Sequence, residues 1–141
     1  MQFKSLLAAL FFAPALALAA APAGTLYKDP NCGCCGEHAK HLRAAGYQIT
    51  EVPTGDMSKV KHQYGTDVAA SCHTLVIGGY AVEGHVPAAA IAKLLKEKPN
   101  AKGISVPGMP ANSPGMGDYK VGTIDVMLIG KDGSVKPYGR F

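Results

Sequence analysis

The chain has 141 residues, 48% of them hydrophobic, and a formal net charge of +4. Without a short N-terminal signal, about 120 residues remain, which is the size of one domain with a hydrophobic core. The Lys and Arg residues form no cluster that predicts a nucleic-acid-binding face, and no basic amphipathic helix predicts a membrane surface. We therefore expect neither nucleic acid nor a membrane as a partner of the mature chain.

Residues 1–20 predict a secretory signal peptide. Lys4 precedes an apolar run from Leu6 to Leu18, and Ala17-Leu18-Ala19 has the form of a cleavage site. The run is short for a membrane span, which favours cleavage over a retained anchor. Cleavage removes Lys4 and no acidic residue, so the formal net charge falls from +4 to +3.

Residues 21–98 predict strands and helices in the order β-α-β-α-β-β-α, which is the order of a thioredoxin-like α/β domain. A Gly78-Gly79 turn joins two of the strands as a β-hairpin. The predicted strands cover residues 26–27, 47–52, 72–77 and 80–83, and the predicted helices cover 37–45, 56–64 and a stretch that begins at Pro87.

Residues 99–141 predict a C-terminal extension of the domain. From Pro99 to Gly122 the segment is rich in Pro, Gly, Ser and Met and has no periodicity, which is typical of a functional or a disordered connection. It repeats one short motif, as Pro107-Gly108-Met109 and Pro114-Gly115-Met116. A terminal β-hairpin is predicted over residues 124–138.

The most informative stretch is Cys32-Gly33-Cys34-Cys35, directly before the first predicted helix. Cys32 and Cys35 have the C-x-x-C spacing of a redox dithiol, whereas Cys34 is a third sulfur that such a dithiol does not need. Adjacent thiolates repel each other unless a proton, a disulfide or a cation offsets the charge. Two states stay open: a Cys32–Cys35 disulfide with Cys34 and Cys72 free or joined, or four thiolates that hold a soft metal ion.

Cys72-His73 stands where a thioredoxin enters its third strand. In thioredoxins a cis-proline lies there, opposite the dithiol, and His73 takes its expected position in this chain. Cys and His are both metal ligands, whereas proline offers no donor atom. We therefore expect the fold to bring Cys72 next to the three-cysteine loop.

Four motifs together resemble a known family: Y-K-D-P-N-C-G-C-C, S-C-H-T-L-V-I-G-G-Y, E-G-H-V-P-A and V-P-G-M-P…S-P-G-M. They are similar to exported copper-binding proteins with a CxCC motif, the CopG type found among copper-resistance determinants. The resemblance implies a thioredoxin-like domain with a C-terminal extension, a multinuclear copper site bridged by cysteine sulfur, and a role in handling copper oxidation states in the periplasm.

The resemblance and the donor chemistry together suggest a set of copper ligands. Thioethers suit Cu(I) and are poor ligands for zinc, which favours the repeated methionines. His85 could instead be a solvent-facing residue before a helix. His38 and His41, three residues apart on the first predicted helix, could support the ligands or form an entry site for the metal, but an exposed or half-buried role is favoured over that. The candidate ligands are Cys32, Cys34, Cys35, Cys72, His73, His85, Met109 and Met116.

The leading functional prediction is a monomeric periplasmic protein that holds several copper ions for copper resistance, by sequestration or by Cu(I)/Cu(II) interconversion. Its expected partners are copper ions and a copper efflux system or an electron-transfer protein, and a copper oxidoreductase activity is left open. The alternative is a periplasmic thiol–disulfide oxidoreductase that uses Cys32 and Cys35. A structural zinc site comes last, because adjacent cysteines fit one tetrahedral ion awkwardly.

Overall fold

A seven-stranded mixed sheet is the centre of the structure, a computed structural model that describes residues 20–141. Its strand order is β2-β1-β3-β4-β5-β6-β7. The strands are β1 (Ala23–Lys28), β2 (Gln48–Pro53), β3 (Thr74–Ile77), β4 (Tyr80–Glu83), β5 (Ala101–Ser105), β6 (Asp125–Gly130) and β7 (Val135–Arg140). The helices are α1 (Gly33–Ala44), α2 (Met57–Tyr64) and α3 (Ala88–Glu97), with one short 3-10 helix at Asp67–Ala69.

The mixed α/β class predicted from the sequence is confirmed. Parallel β1 and β2 are joined through α1, and β3 and β4 form the predicted hairpin around Gly78-Gly79. Both turn glycines have positive φ angles, of 57° and 82°, which explains why glycine occupies them. The predicted signal peptide falls, apart from Ala20, outside the described residues and stays a prediction. Among the described residues, no helix is both long and apolar enough to cross a membrane.

One hydrophobic core extends through both predicted parts of the described chain. Leu26 and Leu75 from the sheet pack in the same cluster as Ile91 of α3. The cluster continues into the C-terminal part, where Ile124 and Val126 are buried in it. The boundary placed at residue 98 stays a prediction, and β5 beyond it pairs in parallel with β4.

Strand β5 corrects the expectation that residues 99–122 lack regular structure. Ala101–Ser105 pairs with β4 on one side and β6 on the other, so it lies inside the sheet. Its sequence, A-K-G-I-S, has little intrinsic strand propensity, and pairing with both neighbours overrides that weakness. Gly103 is required by close packing, because a Cβ there would lie 1.6 Å from the carbonyl oxygen of Ala81.

Helix α1 also differs from its predicted extent. It begins at Gly33, four residues before the predicted start at residue 37, so Cys34 and Cys35 lie in its first turn. No side chain caps this end, and Cys32 at the N-cap position gave no sequence signal for a helix start. The N-terminal end of a helix dipole favours anions, so the earlier start places sulfur where a thiolate is stabilised.

We predict that Gly103→Ala disrupts the β4–β5 pairing, because its Cβ would overlap the Ala81 carbonyl. Overpacking of this kind costs about 1–3 kcal/mol of the free energy of unfolding, and more where backbone must move. Urea denaturation measures the change. Gly55→Ala is the matched control, since a Cβ there meets no atom within 4 Å. Equal stability of the two variants would contradict the close approach.

Candidate metal centre

The four cysteines meet at the corner where β1 leads into α1. All four cysteine sulfurs lie within 4.8 Å of one another, from Cys32, Cys34, Cys35 and Cys72. The Cys34 sulfur lies 3.5 Å from that of Cys32 and 3.9 Å from that of Cys72. The expected proximity of Cys72 to the loop is therefore confirmed, although Cys72 lies 38 positions after Cys34 in the sequence.

Two of the four sulfurs are joined in a disulfide. Cys32 and Cys35 are bonded, with their Cα atoms 5.5 Å apart, whereas Cys34 and Cys72 are free thiols. Of the two states that the sequence allows, the structure therefore has the one with the Cys32–Cys35 disulfide. A site of four thiolates at this corner requires two-electron reduction of this bond first.

Cys72 joins the sulfur group to a group of histidines. Its sulfur lies 3.3 Å from Nε2 of His85. Burial, followed by the neighbouring Cys34, raises the pKa of Cys72 to about 12. The metal-free thiol is consequently protonated at neutral pH and can donate its hydrogen to the His85 nitrogen.

Two fully buried histidines, His73 and His85, complete the second group of donor atoms. With Cys72 they place one sulfur and two nitrogens within 4.8 Å of one another. The Nδ1 atom of His85 lies 2.7 Å from the carbonyl oxygen of Pro114. A carbonyl can only accept, so Nδ1 donates and Nε2 keeps its lone pair toward Cys72. This burial excludes the alternative of His85 as a solvent-facing residue.

His38 corrects the expectation of an exposed or half-buried residue. It is fully buried on α1, with Nδ1 2.8 Å from Nε2 of His73 and Nε2 2.9 Å from the carbonyl oxygen of Val86. His41, one turn further along the helix, is half-buried as expected and accepts a hydrogen bond from the amide of Ala88.

The buried histidines of this cluster are neutral. Burial lowers the pKa of His38 to about 3. Burial, and then the neighbouring His38 and His85, hold the pKa of His73 well below its usual value. Burial also lowers the pKa of His85. Neutral imidazole is the form that binds metal ions, so no proton has to leave these rings for them to become ligands.

The two Pro-Gly-Met turns contact different segments that carry cysteines and histidines. The first turn contacts the residues before Cys72, where Ser71 Oγ donates to the carbonyl oxygen of Gly108. The second packs on α1, where a Cβ at Gly115 would lie 2.6 Å from the backbone nitrogen of His38. Met109 is 59% exposed and Met116 is half-buried. Ligation by either methionine stays a prediction.

Solved structures are similar to this chain over most of its length. A family model described as "Protein of unknown function, DUF411" matches residues 69–116. A solved structure titled "Copper resistance protein copG- Form 2" is 41% identical, with a TM-score of 0.78, and the match covers 86% of this chain and 98% of that chain. The chain belongs to the CopG family. The structure titled "Form 1" is also 41% identical, with a TM-score of 0.74, over 84% of this chain and 96% of that one. No curated protein matches this chain significantly.

Sequence reasoning missed one charged group beside the centre of this CopG-family chain. Glu83, the last residue of β4, is fully buried and pairs with Lys61. It also accepts hydrogen bonds from the amide of Ser71 at 2.7 Å and from the Thr74 hydroxyl at 2.6 Å. The carboxylate therefore holds both ends of the segment that carries Cys72 and His73. The only sequence signal for this buried carboxylate was the position of an acidic residue at the end of an otherwise apolar strand.

We predict that Glu83→Gln strongly destabilises the protein, because it removes the charge opposite Lys61, whose side chain is only 12% exposed. Breaking a buried ion pair from one side costs about 3–5 kcal/mol. The free energy of unfolding from denaturant titration measures the effect.

Glu37→Gln is the matched control for this experiment. Glu37 pairs with Lys40 on the exposed surface of α1, and such pairs contribute about 0–1 kcal/mol. If Glu83→Gln lowers the free energy of unfolding no more than Glu37→Gln does, the buried ion pair does not hold the segment that carries Cys72 and His73.

Proposed function

We propose that this chain is an exported periplasmic protein of thioredoxin-like fold that holds several copper ions in a cysteine-bridged site. It serves copper resistance by sequestration or by Cu(I)/Cu(II) interconversion. The observation that carries the proposal is the sharing of Cys72 between a four-sulfur group and a group of one sulfur and two nitrogens. The copper-resistance titles of the solved relatives support the choice of metal.

The two groups of donor atoms suit copper in different ways. A group of four sulfurs is soft and favours Cu(I), whereas imidazole nitrogens also suit Cu(II). A thiolate can bind more than one metal ion, so Cys72 could link ions held by the two groups. The C-terminal extension lies directly beside these donor atoms, because the Pro114 carbonyl oxygen accepts a hydrogen bond from Nδ1 of His85.

The remaining ligands of the proposed site come from the methionine turns. Met109 is exposed close to the Ser71–Gly108 contact and could offer its thioether to incoming Cu(I). Met116 follows the turn that packs on α1. In this proposal residues 21–98 supply the cysteines and histidines, and residues 99–141 close the site. A copper efflux system or an electron-transfer protein is the partner to seek.

We expect the reduced protein to bind more than one copper ion per chain, with sulfur-rich coordination and a short copper–copper distance. Cys34→Ser should lose that distance, because its sulfur lies 3.5 Å from that of Cys32 and 3.9 Å from that of Cys72 and so can bridge ions that they hold. Metal analysis and X-ray absorption at the copper edge measure both. His62→Gln is a matched control on the exposed surface. Less than one copper per folded, reduced chain would contradict the proposal.

Copper capacity should also depend on the state of the disulfide. With Cys32 and Cys35 bonded, two of the four sulfurs cannot act as thiolate ligands. We expect the oxidised protein to bind several-fold less Cu(I) than the reduced protein in a titration against a competing chelator. Equal capacities in the two states would exclude Cys32 and Cys35 as ligands.

A thiol–disulfide oxidoreductase is the second candidate, and the disulfide itself favours it. Cys32 is partly exposed and Cys35 is buried at the start of α1, which suits an attacking and a resolving thiol. Against it, the described residues contain no cis peptide bond, and His73 replaces the proline that shapes a substrate groove. Copper-independent turnover of a protein disulfide that disappears in Cys32→Ser would favour this candidate. A four-cysteine zinc site ranks below both.

A further inference from the structure

A chain of hydrogen bonds between buried histidines determines which nitrogen of His73 is free. The chain begins at the carbonyl oxygen of Val86, which lies 2.9 Å from Nε2 of His38. Since a carbonyl oxygen only accepts, Nε2 of His38 carries the hydrogen. In a neutral imidazole the other nitrogen, Nδ1, is then an acceptor.

The same logic extends one step further, to His73. The Nδ1 acceptor of His38 lies 2.8 Å from Nε2 of His73, so Nε2 of His73 must donate. This leaves Nδ1 of His73 without a hydrogen. That atom is buried and has no hydrogen-bond partner among the described residues. A buried acceptor without a partner is costly, and a metal ion bound at its lone pair would remove the cost.

The reverse assignment conflicts with the same geometry. If Nδ1 of His38 donated to His73, a neutral His38 would turn the lone pair of Nε2 toward the Val86 carbonyl at 2.9 Å. Two acceptors at that distance repel each other. A doubly protonated His38 would avoid the conflict, but the ring is fully buried and a charge there would be desolvated.

We propose that His38 is a positioning residue that fixes the tautomer of His73, so that Nδ1 of His73, rather than Nε2, is the nitrogen presented to the metal. The metal part of this statement rests on the proposed copper function. The tautomer part concerns the metal-free protein and is tested separately. His38 itself is no ligand, because both of its nitrogens are engaged.

His85 is oriented in a similar way, by a hydrogen bond to the nitrogen that faces away from the candidate metal site. Its Nδ1 is held by the carbonyl oxygen of Pro114, and its free Nε2 lies 3.3 Å from the sulfur of Cys72. One histidine is thus oriented directly by a backbone carbonyl, and the other through His38. Groups that bind the far nitrogen of a ligating histidine fix its ring and its tautomer in this way.

The first test is nitrogen NMR of the metal-free, reduced protein with labelled histidine. We expect His73 as the Nε2–H tautomer, with a scalar coupling across the hydrogen bond to Nδ1 of His38. An Nδ1–H tautomer for His73 in the wild type would overturn the proposal. This result needs no variant and no copper, so it decides the tautomer even if every substitution at His38 prevents folding.

Two substitutions at His38 separate its two hydrogen bonds. The amide of Asn reaches about the position of Nδ1, so His38→Asn keeps an acceptor for His73. The amide of Gln reaches about the position of Nε2, so His38→Gln keeps only the contact with Val86. We expect His73 to keep its Nε2–H tautomer in His38→Asn and to become a mixture in His38→Gln. The wild-type tautomer in both variants would overturn the role of His38.

Copper affinity supplies the second readout. Loss of a group that orients a ligand typically lowers metal affinity 10–100-fold. We expect that loss in His38→Gln, whereas the copper affinity of His38→Asn should stay within a few-fold of the wild type. The sulfur coordination of copper should be unchanged in both variants. Equal losses in the two variants would overturn the positioning role. If the wild type shows the Nε2–H tautomer but binds no copper, the proposed function fails while the tautomer assignment stands.

Discussion

Four cysteine sulfurs within 4.8 Å of one another cannot all carry negative charge without a compensating group. The structure relieves this repulsion in two ways. A disulfide removes two of the thiols, and burial keeps Cys72 protonated by raising its pKa to about 12. Soft metal cations would relieve it in a third way, by binding the thiolates directly. The surrounding hydrogen bonds and one ion pair then hold the segments that carry these groups at one corner of the fold.

That support consists mainly of backbone carbonyls and one buried ion pair. The carbonyls of Val86 and Pro114 set which nitrogens of the histidine cluster carry hydrogen. Glu83, compensated by Lys61, holds the segment between Ser71 and Thr74. These hydrogen bonds and this ion pair form without a metal ion, so the nitrogen donors would need little rearrangement to bind one, which would lower the entropic cost. The histidine nitrogens are therefore preorganised, whereas Cys32 and Cys35 can change between the disulfide and the two thiols.

The sequence predicted those parts of the molecule that depend on local patterns. The mixed α/β class and the Gly78-Gly79 hairpin follow from periodicity, turn residues and element order. The meeting of Cys72 with the three-cysteine loop was predicted from its resemblance in position to the segment of thioredoxins that lies opposite the dithiol. Strand β5 was missed because its pairing with β4 and β6, rather than its composition, makes it a strand. The full burial of His38 was missed for a related reason: one residue on a helix face gives no sign that two histidines from other segments will pack against it.

The C-terminal segment changes how a C-x-x-C loop on this fold can function. In a simple dithiol protein, Cys32 and Cys35 would need only each other and a path to substrate. Here the Pro114 carbonyl orients His85, and Gly115 packs so tightly on α1 that a Cβ would meet the His38 backbone. The segment thus packs on the histidine side of the sulfur group and fixes which nitrogen of His85 faces Cys72. Thiol exchange does not require an oriented imidazole beside its sulfurs, whereas a metal site commonly has its histidines held through the far nitrogen, and this is why the geometry supports metal binding over thiol exchange.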